Sequence, residues 1–164
     1  MIIKTPYVCG PLTELSPAAQ KSVKLFYKHI ADICEKIIGT RAFVPHEHFD
    51  PIKHAAYTPQ DVDKAERHQV CTLTSLLIVV AIEPSWGGGF EVEMARENKV
   101  PVIILCEKEK LEKRKISRLL RGNPAVKEII SYSSENEALE KLQSKLNIQL
   151  IRRNCKNVLL KILL

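Results

Sequence analysis

The chain has 164 residues, 45% of them hydrophobic and 27% charged, a balance that excludes a disordered chain and fits one domain with a real core. The net charge is +6, with much of the excess Lys and Arg between Lys108 and Arg121 and in Arg152, Arg153, Lys156 and Lys161. With only 5% aromatic residues, this reads as solvated helix surface, and nucleic acid is not the expected partner.

No apolar run is long enough to span a bilayer, and the start, Met1 to Pro6, has no basic region followed by a long apolar stretch. Neither a membrane anchor nor a signal peptide is therefore expected. Cys9, Cys34, Cys71, Cys106 and Cys155 are scattered without a Cys-x-x-Cys pair, as reduced thiols of a cytoplasmic protein would be.

In chain order, Ile2 to Cys9 reads as a first strand ending in the turn Gly10-Pro-Leu-Thr13. Ser16 and Pro17 are N-cap and first residue of a helix whose Val23, Phe26, Ile30, Ile33 and Ile37 share one face and which Gly39 stops. Arg41 to Pro45 reads as a second short strand. His46-Glu-His-Phe-Asp-Pro51, with His54 beyond, lacks the spacing of a helical metal motif, so a substrate-facing loop is expected and no metal. Thr58-Pro59 opens a helix with Val62, Ala65, Val70 and Leu73 inward; Glu66 and Gln69 fall on that same side and His68 points away. Polar groups on an inward stripe either satisfy backbone or face a pocket.

Leu76 to Val80 is an unbroken apolar run of strand length, followed by Ala81-Ile-Glu-Pro-Ser-Trp-Gly-Gly-Gly-Phe-Glu-Val-Glu-Met-Ala95. Strand, then proline and three glycines, then helix is an order that lets backbone approach a ligand and offers free N–H groups to an anion. Glu91 is expected in the first turn of that helix with Glu93 after it, where a carboxylate ordinarily complements the helix dipole. Val100 to Cys106 is a fourth strand, Leu111 to Arg121 a basic helix, and Lys127 to Tyr132 a fifth strand. Ser134 opens a last helix carrying Ala138, Leu139, Leu142 and Leu146, and the pattern from Asn147 to Leu164 fits helix or strand alike. The alternation predicts an α/β domain over residues 1–146: a parallel sheet with helices on both faces and a C-terminal extension at 147–164. Right-handed crossovers bring Gly10, His48 and Ser85 to Glu91 to one crevice at the sheet's carboxyl edge.

Two of these stretches resemble a known family. Tyr7-Val-Cys-Gly-Pro-Leu-Thr13 is similar to the first strand and turn of the nucleoside 2-deoxyribosyltransferase-like proteins, and Pro84 to Ala95 to their P-S-x-G-x-G-x-E-x-x-x-A signature. The nearest branch is the 2'-deoxynucleoside 5'-phosphate N-hydrolases. The resemblance implies a flavodoxin-like (Rossmann-like) three-layer sandwich, here with five parallel strands, and a homodimer with a shared active site. It implies hydrolysis of the base–sugar bond of (2'-deoxy)nucleoside 5'-monophosphates through a glycosyl-glutamate at Glu91, with no cofactor. Base exchange by a deoxyribosyltransferase and non-catalytic nucleotide binding are the alternatives.

By the same resemblance, Gly10, Leu12, Thr13, Ser85, Gly87 and Gly89 hold the phosphate, and Ser117 completes the pocket from the neighbouring subunit. Tyr7 shapes the sugar site and His48 lines the base pocket. The family's helix aspartate falls on Gln69, or on His68 with a one-residue slip; neither is a carboxylate, and Gln69 hydrogen-bonds but is no acid. Glu66, one turn earlier on the same face, is the carboxylate placed to take over.

Overall fold

A computed structural model describes residues 3–50 and 52–162; Met1, Ile2, Pro51, Leu163 and Leu164 lie outside the described residues, as do the side chains of Gln149 and of residues 152–162. Four parallel strands, β1 (Thr5–Cys9), β2 (Thr74–Val80), β3 (Val102–Glu107) and β4 (Val126–Tyr132), lie in the order β1-β2-β3-β4. The helices are α1 (Pro17–Ile38), α2 (Pro45–Phe49), α3 (Pro59–His68), α4 (Trp86–Glu97), α5 (Lys108–Glu112), α6 (Arg118–Arg121) and α7 (Glu135–Ile162). Helix α7 runs unbroken across Leu146 into the tail whose pattern the sequence left open.

The two faces of the sheet have separate cores, because side chains alternate along each strand. Val8, Ile78, Val80, Ile103 and Leu105 pack with α1 and α7, whereas Tyr7, Cys9, Leu77, Val79, Val102 and Ile104 pack with Val92 and Ala95 of α4. The result is a three-layer, Rossmann-like α/β arrangement.

The expected five-stranded sheet is corrected to four. Arg41 to Pro45 makes only one parallel bridge, Phe43 to Tyr7, through Val8 N–H to Phe43 O (2.9 Å) and Phe43 N–H to Pro6 O (2.8 Å). The pairing stops there because Pro45 has no N–H and begins α2 instead. The bridge still defines the winding: from β1 the chain passes through α1 to one side of β1, then through α3 to β2 on the other. The loops after β1 and β2 therefore diverge, and a crevice opens between them.

The basic helix expected over Leu111–Arg121 is two short helices. Helix α5 ends with Arg114 in the left-handed region (φ 56°), with Lys115 N–H bonded to Lys110 O (2.8 Å) and Arg114 N–H to Leu111 O (3.1 Å). This is the closing geometry that glycine usually supplies, so the sequence shows no break. Lys99 (φ 58°) closes α4 the same way.

Candidate functional site

The crevice is a cleft of about 1250 Å³ lined by the turn after β1, by α2 and α3, and by the start of α4. Gly10 to Glu14 form one side. Tyr27 sets this turn by donating its hydroxyl to Pro11 O at 2.8 Å. A Cβ on Gly10 would lie 2.2 Å from that hydroxyl oxygen, so only glycine permits the contact.

Opposite, Ser85 caps α4 by accepting the Gly88 N–H at 3.2 Å. The helix begins at Trp86, so all three glycines lie inside it and Glu91 falls in the second turn. The expected first-turn placement, with its ordinary dipole-complementing role, is thereby corrected. Glu91 instead points down onto the sheet face. It is 7% exposed, lines the cleft, and accepts a hydrogen bond from the Tyr7 hydroxyl at Oε1. Burial raises its pKa, and the Cys9 thiol and Tyr7 hydroxyl pull it back. Burial and then the Glu91 charge hold Tyr7 well above its ordinary value, so it stays a donor.

Glu66 lines the same cleft from α3, with its carboxyl pushed up to about 7, first by burial and then by the charge of Glu91. Two carboxyl groups thus face one space in different environments: Glu91 accepts the Tyr7 hydroxyl, while Glu66 holds its proton to neutral pH. Gln69 is elsewhere. It begins a π-helical turn, Gln69–Leu73, that carries α3 into β2, and its side-chain amide donates to Thr5 Oγ1 at 3.3 Å.

Of the expected ligand-binding residues, Gly10, Leu12, Thr13, Ser85 and Gly87 line the cleft. Gly89 is not among the lining residues, and neither is Ser117, which caps α6 by accepting the Leu120 N–H at 3.3 Å. His48 is also displaced, its ring stacked on Phe43 with centroids 4.4 Å apart. Because Pro45–Phe49 is helical, His46 and Phe49 share the cleft-facing side and His48 does not. The loop between α2 and α3 adds His54 and Tyr57, and α4 adds the exposed rings of Trp86 and Phe90. The stretch expected to face substrate, His46 to Phe49 with His54, does line the cleft through His46, Phe49 and His54, as a helix and the segment after it; Tyr57, Trp86 and Phe90 were not singled out in the sequence.

The 46–57 wall is anchored at Asp50. Lys24 of α1 pairs with its carboxylate, the N–H groups of Ile52 and Lys53 bond it at 3.0 and 3.1 Å, and its pKa is held far below the ordinary range, first by the Lys24 hydrogen bond. No cluster of three His, Cys, Asp or Glu side chains suited to a metal ion occurs among the described residues. Nor is any described helix long and apolar enough to cross a membrane.

No family model and no curated protein sequence matches the chain. Its fold matches solved structures. The CMP N-glycosidase BcmB of Clostridium botulinum superposes with a TM-score of 0.63 at 19% identity, covering 87% of this chain and 99% of that one. BlsM, solved in solution, gives 0.64 at 19% identity over 93% and 94%. A conserved protein from Enterococcus faecalis V583 gives 0.58 at 17% identity over 87% and 99%.

Proposed function

We propose that this chain is an N-glycosidase that hydrolyses the base–sugar bond of (2'-deoxy)nucleoside 5'-monophosphates, with Glu91 as nucleophile. One observation carries the reading: a buried carboxylate on the floor of a nucleotide-sized cleft, held by Tyr7, with the protonated Glu66 facing the same space. The fold shared with a CMP N-glycosidase and the likeness of Pro84–Ala95 to the deoxyribosyltransferase-like signature agree with it.

In the first step a Glu91 oxygen bonds to the anomeric carbon as the carbon–nitrogen bond breaks. The electron pair leaves with the base, which takes the proton of Glu66. In the second, Glu66 as carboxylate takes a proton from water, whose oxygen attacks the anomeric carbon and releases Glu91. The phosphate would sit on backbone N–H groups of the Gly10–Thr13 turn and of the α4 start, where Trp86 and Gly87 have no helical carbonyl to bond. Ser117 would reach this pocket from a second subunit of a homodimer.

Glu91→Gln is expected to lower base release by more than 10³-fold, on the order expected for a missing nucleophile. The assay is chromatography of nucleoside and nucleotide panels, with and without an acceptor base. Unchanged turnover removes Glu91 from the mechanism. Base exchange outrunning release makes the enzyme a transferase.

A further inference from the structure

The segment that follows β3 carries three lysines, and one of them leaves its own helix. Lys108 and Lys113 pair with Glu112 and Glu109 one turn away and are 61% and 59% exposed, as surface ion pairs ordinarily are. Lys110, 24% exposed, crosses instead to the connection between β2 and α4. Its ammonium donates to the backbone oxygen of Ile82 and to Glu83 Oε1 at 2.9 Å, with Glu107 Oε1 3.7 Å away.

Little else holds that connection. Ala81 N–H bonds Leu105 O at 2.8 Å, and the next anchor is the Ser85 cap on Gly88. Pro84, between them, has no N–H to give. Among the described residues, Lys110 donates both hydrogen bonds that Ile82 and Glu83 receive. A bond from an ammonium to a backbone oxygen is of the stronger, charge-assisted kind, so it fixes the direction in which the chain leaves β2. Three residues beyond Ile82 stands Ser85, followed by the first N–H groups of α4.

We propose that Lys110 is a positioning residue for the phosphate end of the cleft. It ties the end of β3 to the β2–α4 connection and so holds the start of α4 at a fixed spacing from the Gly10–Thr13 turn. Lys110 is not among the residues lining the cleft, so it acts through the connection and not by touching the ligand. The proposal rests on the phosphate placement of the proposed function, but not on cleavage of the base–sugar bond.

Trp86 is the single tryptophan of the chain and lines the cleft next to Ser85, so its fluorescence reads ligand binding there without turnover. Lys110→Met keeps the stem and removes the donor. Its Kd for inorganic phosphate is expected to rise about tenfold, as for one lost hydrogen bond to a charged group. Lys110→Arg, which keeps donor and charge, should retain most of the affinity. Lys108→Met, which removes the same charge from the same helix, should leave it unmoved. The loss should persist in about 1 M sodium chloride, where a charge acting through space is screened within about 3 Å. In parallel, KM for monophosphates should rise in Lys110→Met while kcat, and kcat/KM for unphosphorylated nucleosides, hold. Lys110→Gln, too short to reach Ile82, is the second variant should Lys110→Met not fold. Unchanged phosphate affinity, an equal loss for nucleosides and monophosphates, or a loss abolished by salt overturns the proposal. No saturable response to phosphate in the unaltered protein overturns it together with the phosphate placement. Phosphate binding that depends on Lys110, in a protein that releases no base, supports it and refutes the N-glycosidase reading instead.

Discussion

Glu66 and Glu91 differ in what meets them, and that difference predicts their roles. Among the described residues none donates to Glu66 as Tyr7 does to Glu91, so burial and the Glu91 charge leave it protonated up to about pH 7. An acid of this kind gives an alkaline limb near pH 7 in the rate profile. Glu66→Gln is expected to remove that limb and cost roughly a hundredfold or more in rate at pH 6. Stability moves the opposite way. A carboxyl group whose folded pKa lies above its unfolded value binds more protons when folded, so the protein loses stability as pH rises between the two. Thermal melting should therefore show Glu66→Gln more stable than the unaltered protein at pH 8, with the gain vanishing below about pH 4.5, the unfolded range of a glutamate.

The start of α4 places bare backbone beside the cleft at a cost in helix stability. Gly87 and Gly89 both have room for a methyl group, but only Gly87 lines the cleft. Alanine at either position should stabilise the fold by about 0.5 kcal/mol, read as a higher melting temperature. Gly87→Ala should also raise KM for monophosphates, while Gly89→Ala leaves it unchanged. Equal KM for both variants would move the phosphate away from this turn.

Local signals made much of this level readable. Ser16, Pro17 and Gly39 bound α1, and the Thr58–Asp61 capping box starts α3. Elements decided at a distance were not readable. Phe43 pairs with a strand thirty-odd residues away for a single bridge, and Arg114 and Lys99 turn left-handed without glycine. Nor does an α-helical wheel contain the π-helical turn Gln69–Leu73 that joins α3 to β2.

Across the whole molecule, the charge is unevenly placed. Glu14, Asp63, Glu66 and Glu91 line the cleft, and the one Arg there, Arg67, is paired with Asp63 at 2.9 Å. The basic residues Arg114, Lys115, Arg118 and Arg121 surround Ser117 instead, beside Leu119, which is 87% exposed. A phosphate in this cleft gains most if that segment arrives from a second copy. Sedimentation should then find a dimer, and Ser117→Ala should raise KM for monophosphates about tenfold, as for a lost hydrogen bond to a charged group. Mixing inactive Glu91→Gln with Ser117→Ala should restore part of the affinity lost, because one hybrid site is intact. No restoration would assign each cleft to a single chain.

The anchoring of Asp50 reaches into the cleft through a proton. The backbone N–H of Asp50 is donated to Nδ1 of His54 at 3.0 Å. A nitrogen that accepts cannot hold the hydrogen, so the neutral ring carries it on Nε2. His54, which lines the cleft, therefore has its ring donor on Nε2. Under the proposed function, a base resting against that nitrogen would meet it with a keto oxygen or a bare ring nitrogen rather than with an exocyclic amine.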